Sequence, residues 1–293
     1  MEAPRARPAA ETQWTGFLNS APVDALDPLD AQTIARGLAA QGEALRVAVL
    51  ETCGSTNSQL LADADGPALL LAEEQTAGRG RRGRRWHAAP GAALMFSLRH
   101  EFAGGAERLH GLSLAAGVGI AKSLHTLGAH GVALKWPNVL LASVGKGGAK
   151  LGGILIETRS SGERINVVIG VGLNCRRMPG LETRLARKVA SLDESIDPLP
   201  ARNDIAVLVA AELLRTLRLF DESGFEAFRE AWHAMHANQG EALRVRTADG
   251  RIVTGIADGV APDGGLLLRT RRGVQCIHSG SVVRAAGTRE SAA

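Results

Sequence analysis

The sequence predicts an α+β protein: a mixed, mostly antiparallel sheet flanked by helices, followed by a small C-terminal β-barrel. Three observations carry that expectation. Short apolar segments recur between residues 46 and 173, and several of their connections are too short for crossover helices, so neighbours pair antiparallel. Helical periodicity is confined to a few stretches, chiefly 109–127, 204–220 and 224–235. Beyond about residue 240 the texture changes to short β segments broken by Asp249-Gly250 and Asp263-Gly264-Gly265, both strong hairpin turns.

Each element has a local cause. Residues 1–45 are rich in Ala, Pro and Asp and read as a partly disordered leader with one short helix at 30–40. They are too short and irregular for a helix-turn-helix head. Residues 46–51 form a strand, after which Ser55 or Thr56 caps a helix running to about 63. The apolar run 68–72 leads into a glycine- and arginine-rich loop, and 92–98 resumes as a strand. That loop is long for such a connection, and long loops in compact domains are often functional. Residues 109–127 carry small and apolar residues at helical spacing and predict a buried helix. Strands follow at 132–136, 139–142, 153–158 and 165–173. The helix at 204–220 has Asp204 near its start, and 243–284 holds the short β segments. The expected division is a leader (1–45), a main domain (46–239), a barrel (240–286) and a tail (287–293), without internal repeats.

Composition narrows the function. Hydrophobic residues make up 45% of the 293, enough for a sizeable core. Aromatics are only 3%, with no Tyr, which argues against a stacking surface for single-stranded nucleic acid. The net charge of +4 owes much to residues 79–85 and favours an anionic partner. Cys53, Cys175 and Cys276 are far apart with no CxxC, which speaks for reduced thiols and against a metal or disulfide framework. No apolar run approaches the ~18 residues of a membrane span. The first ten residues lack a signal peptide's apolar core. The expectation is a cytoplasmic protein that does not engage a membrane.

Residues 75–86 are the most informative segment. They read Gln-Thr-Ala-Gly-Arg-Gly-Arg-Arg-Gly-Arg-Arg-Trp, five arginines among three glycines. Glycine lets the backbone curl around a ligand, and arginine brings a permanent charge with five fixed donors. From these residues alone two readings stay open: a mobile loop that closes over phosphate, or a tract that grips nucleic acid. Four further polar, glycine-marked turns border apolar strands. They are Gly54-Ser55-Thr56-Asn57, Lys135-Trp136-Pro137-Asn138, the segment opening at Lys150, and Gly170-Val171-Gly172-Leu173-Asn174. If the strands form one sheet, these turns converge on one cleft.

The set GSTN, QTAGRGRRGRRW, KWPN, KLGGILIE and GVGLN, in this order, resembles the biotin protein ligase family over about residues 46–284. The resemblance implies a class II synthetase-like catalytic domain with an SH3-like C-terminal barrel. It implies a two-step reaction in which biotin and ATP, with Mg²⁺, form biotinyl-AMP. The biotinyl group then passes to a lysine of the biotin carboxyl carrier domain of a carboxylase. No DNA partner is expected, and a homodimer is plausible.

Carried over by position, the resemblance makes Lys150, Arg79 and Arg81 the catalytic cations. It assigns Ser55, Thr56, Asn57, Gln75, Gly78, Arg79, Lys150, Gly152 and Gly170 to biotin. It assigns Arg81, Arg82, Arg84, Trp86, Asn138, Asn174 and Arg284 to the adenylate, with magnesium near Asn138. Plainer readings stand beside these: a helix N-cap for Ser55, an exposed strand-start lysine for Lys150, turn chemistry for the asparagines. One departure is clear. The family usually reads KWPND, and this chain has Val139 where the aspartate belongs, which bears on metal arrangement and turnover. The alternatives are a lipoate ligase-like enzyme, a biotin-binding transcriptional regulator and a non-catalytic biotin binder.

Overall fold

The computed structural model describes residues 27–283 except Ala64, Pro67, residues 143–147 and Ala186. Most of the leader, Lys146 and Arg284 therefore lie outside the described residues. Helix α1 (Ala31–Ala40) starts where Asp30 accepts the Thr33 N–H at 2.7 Å. Next come β1 (Val47–Cys53), α2 (Thr56–Ala62), β2 (Leu69–Gln75) and β3 (Ala93–Ala103). Helix α3 (Leu112–Thr126) leads into β4 (Val132–Lys135), β5 (Val139–Ala142), β6 (Ala149–Ser161) and β7 (Arg164–Asn174). Helices α4 (Leu181–Leu185), α5 (Arg202–Ser223) and α6 (Glu226–Ala234) precede five short strands. These are β8 (Ala242–Thr247), β9 (Ile252–Val260), β10 (Leu266–Thr270), β11 (Gly273–Ile277) and β12 (Gly280–Val283).

The first seven strands form one sheet in the order β1-β2-β3-β7-β6-β5-β4, parallel only between β1 and β2. Its spine is β3 against β7, in register from Ala93↔Asn174 to Ala103↔Arg164. Alternation along β7 sends Val167, Ile169 and Val171 into the main core and Val168 to the opposite face, where it meets Leu60 of α2 and Leu70. Helices α1, α3 and α5 pack together on the main-core face. Helix α2 alone covers part of the other, which leaves room there for a cleft. The expected strand at 153–158 proves longer, because β7 gives β6 a partner along almost its whole length. The expected helix at 109–127 starts at Leu112, since Gly111 holds a left-handed φ of 79° that no helix continues through.

The last five strands form a separate antiparallel sheet in the order β11-β10-β9-β8-β12, in keeping with the expected small barrel. It is not an appendage. Leu243, Val245, Ala257, Val260 and Leu266 belong to the same continuous core as the main domain. The Trp136 indole N–H donates to the Gly264 carbonyl at 3.1 Å. At that turn a Cβ on Gly264 would stand 2.7 Å from the Gly111 Cα, so the contact requires a glycine. No described helix is long and apolar enough to cross a membrane.

One buried cation pins the helical layer to the sheet. Arg202, the first residue of α5, has a side chain 1% exposed. It donates to Asp27 Oδ1 at 3.1 Å, to Glu73 Oε2 at 2.8 Å and to Glu73 Oε1 at 3.1 Å. Removing it leaves two carboxylates without their counter-charge. Arg202→Ala is expected to cost roughly 3–5 kcal/mol, measured as a fall in the urea midpoint. A loss below about 1 kcal/mol, the range of an exposed pair, would contradict that role.

Candidate active site

On the α2 face, between the seven-stranded sheet and β12, lies a cavity of about 680 Å³. Its floor is the glycine-marked end of β7. A Cβ on Gly170 would collide with the Asn57 amide, and one on Gly172 would stand 2.6 Å from the Trp86 ring. Only glycine lets these two side chains lie flat on the strand.

Chain entry into α2 builds one wall. Ser55 occupies the N-cap position with extended backbone but makes no capping hydrogen bond, so its hydroxyl is not spent on the helix. Thr56 N–H donates to Gln75 Oε1 at 2.9 Å. Asn57 is buried and structural: its amide donates to Glu157 Oε2 at 2.8 Å and to the Leu155 carbonyl at 3.2 Å. Its oxygen accepts from Ser97 Oγ at 2.5 Å.

Residues 78–86 fold as a small hairpin over the cavity mouth. Gly80 N–H donates to the Arg84 carbonyl at 2.7 Å and Trp86 N–H to the Gly78 carbonyl at 2.9 Å. Its tip is a 3₁₀ turn (Arg81–Gly83) in which Arg82 takes a left-handed φ of 58°, sparsely occupied by arginine. Arg79 reaches back to Ser58 Oγ at 2.8 Å and to Glu157 at 2.9 Å. Arg82 Nη1 donates to Ser281 Oγ at 3.3 Å, joining the hairpin to β12.

Lys150 comes from the opposite wall, and a β-bulge aims it. Pairing of β5 with β6 jumps from Leu140↔Gly152 to Leu141↔Lys150, leaving Leu151 as the extra residue. Strict alternation counted back from Gly153 would place Lys150 on the core face. The extra residue turns it onto the cavity face instead, where a Cβ on Gly153 would lie 3.3 Å from Nζ. The ammonium stands 5.0 Å from the Trp86 ring centroid, a cation–π contact. The neighbouring backbone is locked by segment 187–190. Lys150 N–H donates to the Lys188 carbonyl at 3.1 Å, and Ala190 N–H to the Lys150 carbonyl at 3.0 Å.

Charge in the cavity is one-sided. Nine lysines and arginines line it, and no aspartate or glutamate does so among the described residues. Burial, then Arg187 and Arg84, push the Lys150 ammonium down from its ordinary 10.5 to about 7. Burial and the adjacent Arg82 likewise lower Arg81.

Of the sequence-predicted residues, Ser55, Thr56, Asn57, Gln75, Arg79, Arg81, Arg82, Arg84, Trp86, Asn138, Lys150 and Gly170 all line the cavity. Three do not. Gly78 shapes the hairpin: a Cβ there would stand 3.1 Å from the Trp86 carbonyl. Gly152 faces Leu140, Leu173 and the Gly172 carbonyl on the core side of the bulge. Asn174 is buried, and its amide donates to the carbonyls of Lys150 (3.2 Å) and Ala190 (2.9 Å). It thus fastens the lysine's strand and is not part of the cavity lining. Arg187, Ser97, Asn238 and Ser281 were missed. Ser97 carried a faint signal, a hydroxyl in an apolar strand. Arg187 and Asn238 carried none, being joined to the cavity only by the fold.

Such a sheet, with a cation-lined cavity under a glycine–arginine hairpin and a β domain closing one side, is the architecture of biotin/lipoate-type protein ligases. Residues 51–174 match the Biotin/lipoate A/B protein ligase family, and residues 240–284 match the Biotin protein ligase C terminal domain. The chain is 33% identical over 246 residues to the biotin–[acetyl-CoA-carboxylase] ligase of Paracoccus denitrificans, covering 80% of this chain and 98% of the relative. It is 34% identical over 267 residues to the ligase of that name from Mycobacterium tuberculosis, covering 87% and 96%. Its fold superposes on the biotin protein ligase of Aquifex aeolicus in complex with biotin and ATP. The TM-score is 0.69 at 25% identity, covering 82% of this chain and 99% of that one. This chain belongs to the biotin protein ligase family.

Two measurements test the site. With its ammonium near 7 in a cavity of like charges, Lys150 is largely neutral at pH 8, and a bound anion restores its charge. The sign is uptake: titrating ATP at pH 8 in buffers of different ionisation enthalpy should show net proton uptake, absent in Lys150→Met. Equal enthalpies in all buffers would refute it. Gly172→Ala should displace Trp86, costing about 1–3 kcal/mol of stability and shifting tryptophan emission. An unchanged emission maximum in that variant would mean the ring does not rest on the strand.

Proposed function

We propose that this chain joins biotin to one lysine of a biotin carboxyl carrier domain, through biotinyl-5′-AMP formed from biotin and ATP. The observation that carries the reading is Lys150, turned by the bulge into a cavity beneath the hairpin that nine lysines and arginines line and, among the described residues, no carboxylate does. The first step brings two anions together. A biotin carboxylate oxygen attacks the α-phosphorus, and pyrophosphate leaves from the far side. Fixed cations stabilise the charge spread over the transferring phosphorus at no cost of reorganisation. Lys150 bridges the carboxylate and the α-phosphate, and Arg79, Arg81, Arg82 and Arg84 close over them. Ser55, Thr56 and Gln75 offer polar groups to the ring end of biotin.

In the second step the neutral amine of the acceptor lysine attacks the acyl carbon, AMP leaves with the bonding electrons, and the extra proton passes to solvent. A mixed anhydride hydrolyses when wet, so the hairpin and Trp86 serve by excluding water until the amine arrives. The C-terminal domain of the biotin protein ligase type supports biotin over lipoate as substrate.

Magnesium expected near Asn138 fits these residues poorly. Protein sites for that ion rely on carboxylates, and the described lining has none, with Val139 at the family's aspartate position. The Asn138 amide donates to the Ile154 carbonyl at 2.6 Å, leaving one neutral oxygen. No step is assigned to a protein-held metal.

The test is direct. Purified protein with biotin, ATP and a carrier domain should release pyrophosphate and add one biotinyl mass to the carrier, with no transfer from lipoate. Lys150→Ala should lower that rate by about 10²-fold or more while remaining folded. A variant rate within threefold of the parent would remove Lys150 from the reaction. Silence of the parent with every carrier tried, in pyrophosphate release as well as transfer, would remove the activity.

A further inference from the structure

We propose that Arg187 is a phosphate-binding residue of this site, gripping the part of the nucleotide that departs as pyrophosphate. The inference rests on the adenylating activity proposed above.

Arg187 belongs to none of the recognised motifs, and its placement is built. The segment is annealed to the edge of β6 by the Lys150–Lys188 and Lys150–Ala190 backbone hydrogen bonds and a parallel bridge between Lys150 and Val189. Its other side is tied to α4, where Arg187 N–H donates to the Glu182 carbonyl at 3.3 Å and Val189 N–H to Glu182 Oε1 at 2.8 Å. Arg187 is therefore fixed within two residues of backbone that also fixes Lys150.

Its side chain lines the cavity, and its Nε is buried with no hydrogen-bond partner. A buried guanidinium donor left unpaired is costly. Here the cost is compounded, since Lys150, Arg84 and Arg187 repel one another across the same space. Structural arginines in this protein look different: Arg202, which is fully buried, is matched by Asp27 and Glu73. Three converging cations without a carboxylate describe a site for a multiply charged anion. Lys150 is committed to the carboxylate and the α-phosphate, so the guanidiniums beside it fall to the remaining phosphates. A planar fork of donors suits two phosphate oxygens at once.

The experiment uses the full chain with Arg187→Ala and Arg187→Lys, titrated with inorganic pyrophosphate, AMP and biotin by calorimetry, alongside ATP kinetics. Removing one charge-assisted contact should weaken pyrophosphate binding and raise the KM for ATP by about tenfold or more. AMP and biotin, which carry no pyrophosphate, should bind within twofold of the parent, and Arg187→Lys should fall between. Uniform weakening of all three ligands, or unchanged pyrophosphate binding in Arg187→Ala, would overturn the assignment. So would a parent chain that does not bind pyrophosphate. If the parent ligates biotin and only the pyrophosphate result fails, the role of Arg187 falls and the activity stands. If the parent forms no adenylate, both fall.

Discussion

A buried ammonium held among like charges is the constraint around which this molecule is arranged. Lys150 reaches the cavity only because the β5–β6 pairing slips by one residue at Leu151. It stays there because both its backbone groups are taken up by residues 188 and 190. Asn174 reinforces that arrangement by bonding the Lys150 and Ala190 carbonyls together. The Trp86 ring gives the charge a polarisable neighbour but no counter-ion. Free protein therefore carries an electrostatic load that an anionic ligand relieves, and binding and charge relief become one event.

The rest of the fold keeps that load from disordering the site. Glu157 pairs with Arg79 and Asn57 at the hairpin's base, and Glu73 is held by Arg202 on the core side of the sheet, so neither joins Lys150, Arg84 and Arg187 in the cavity lining. The Arg79–Glu157 pair marks where the hairpin touches the sheet, on a half-exposed surface where an ion pair is weak. The hairpin can thus rest closed without being locked. Its other tether, from Arg82 to Ser281, reaches the small β domain, whose core is continuous with that of the main domain. Through this contact the hairpin touches the small β domain.

Much of this was legible in the chain. Residues 75–86 could be read as a flexible cationic loop, and the turns that accompany them favoured closure over phosphate against a grip on nucleic acid. The turns GSTN, KWPN and GVGLN each ended an apolar strand, so their convergence followed from one sheet. What escaped was chemistry that depends on register. Gly152 and Gly153 look alike in sequence, yet register against β7 puts one on the core side and the other on the cavity side, and the bulge at Leu151 decides the face of Lys150. Asn174, at the end of a motif, looks like a ligand and serves as a fastener.

The sequence by itself determined which residue types are available: a cationic loop, a strand-opening lysine, glycines where side chains must lie flat, and a valine at an acidic position. It determined the short apolar segments that build the sheets. Only the tertiary structure decided where the charge gathers. Arg187 is separated from Lys150 by most of β6, all of β7 and α4, and no local pattern announces their meeting. Electrostatics acts through space and register through pairing partners, and both are settled only when the chain has closed.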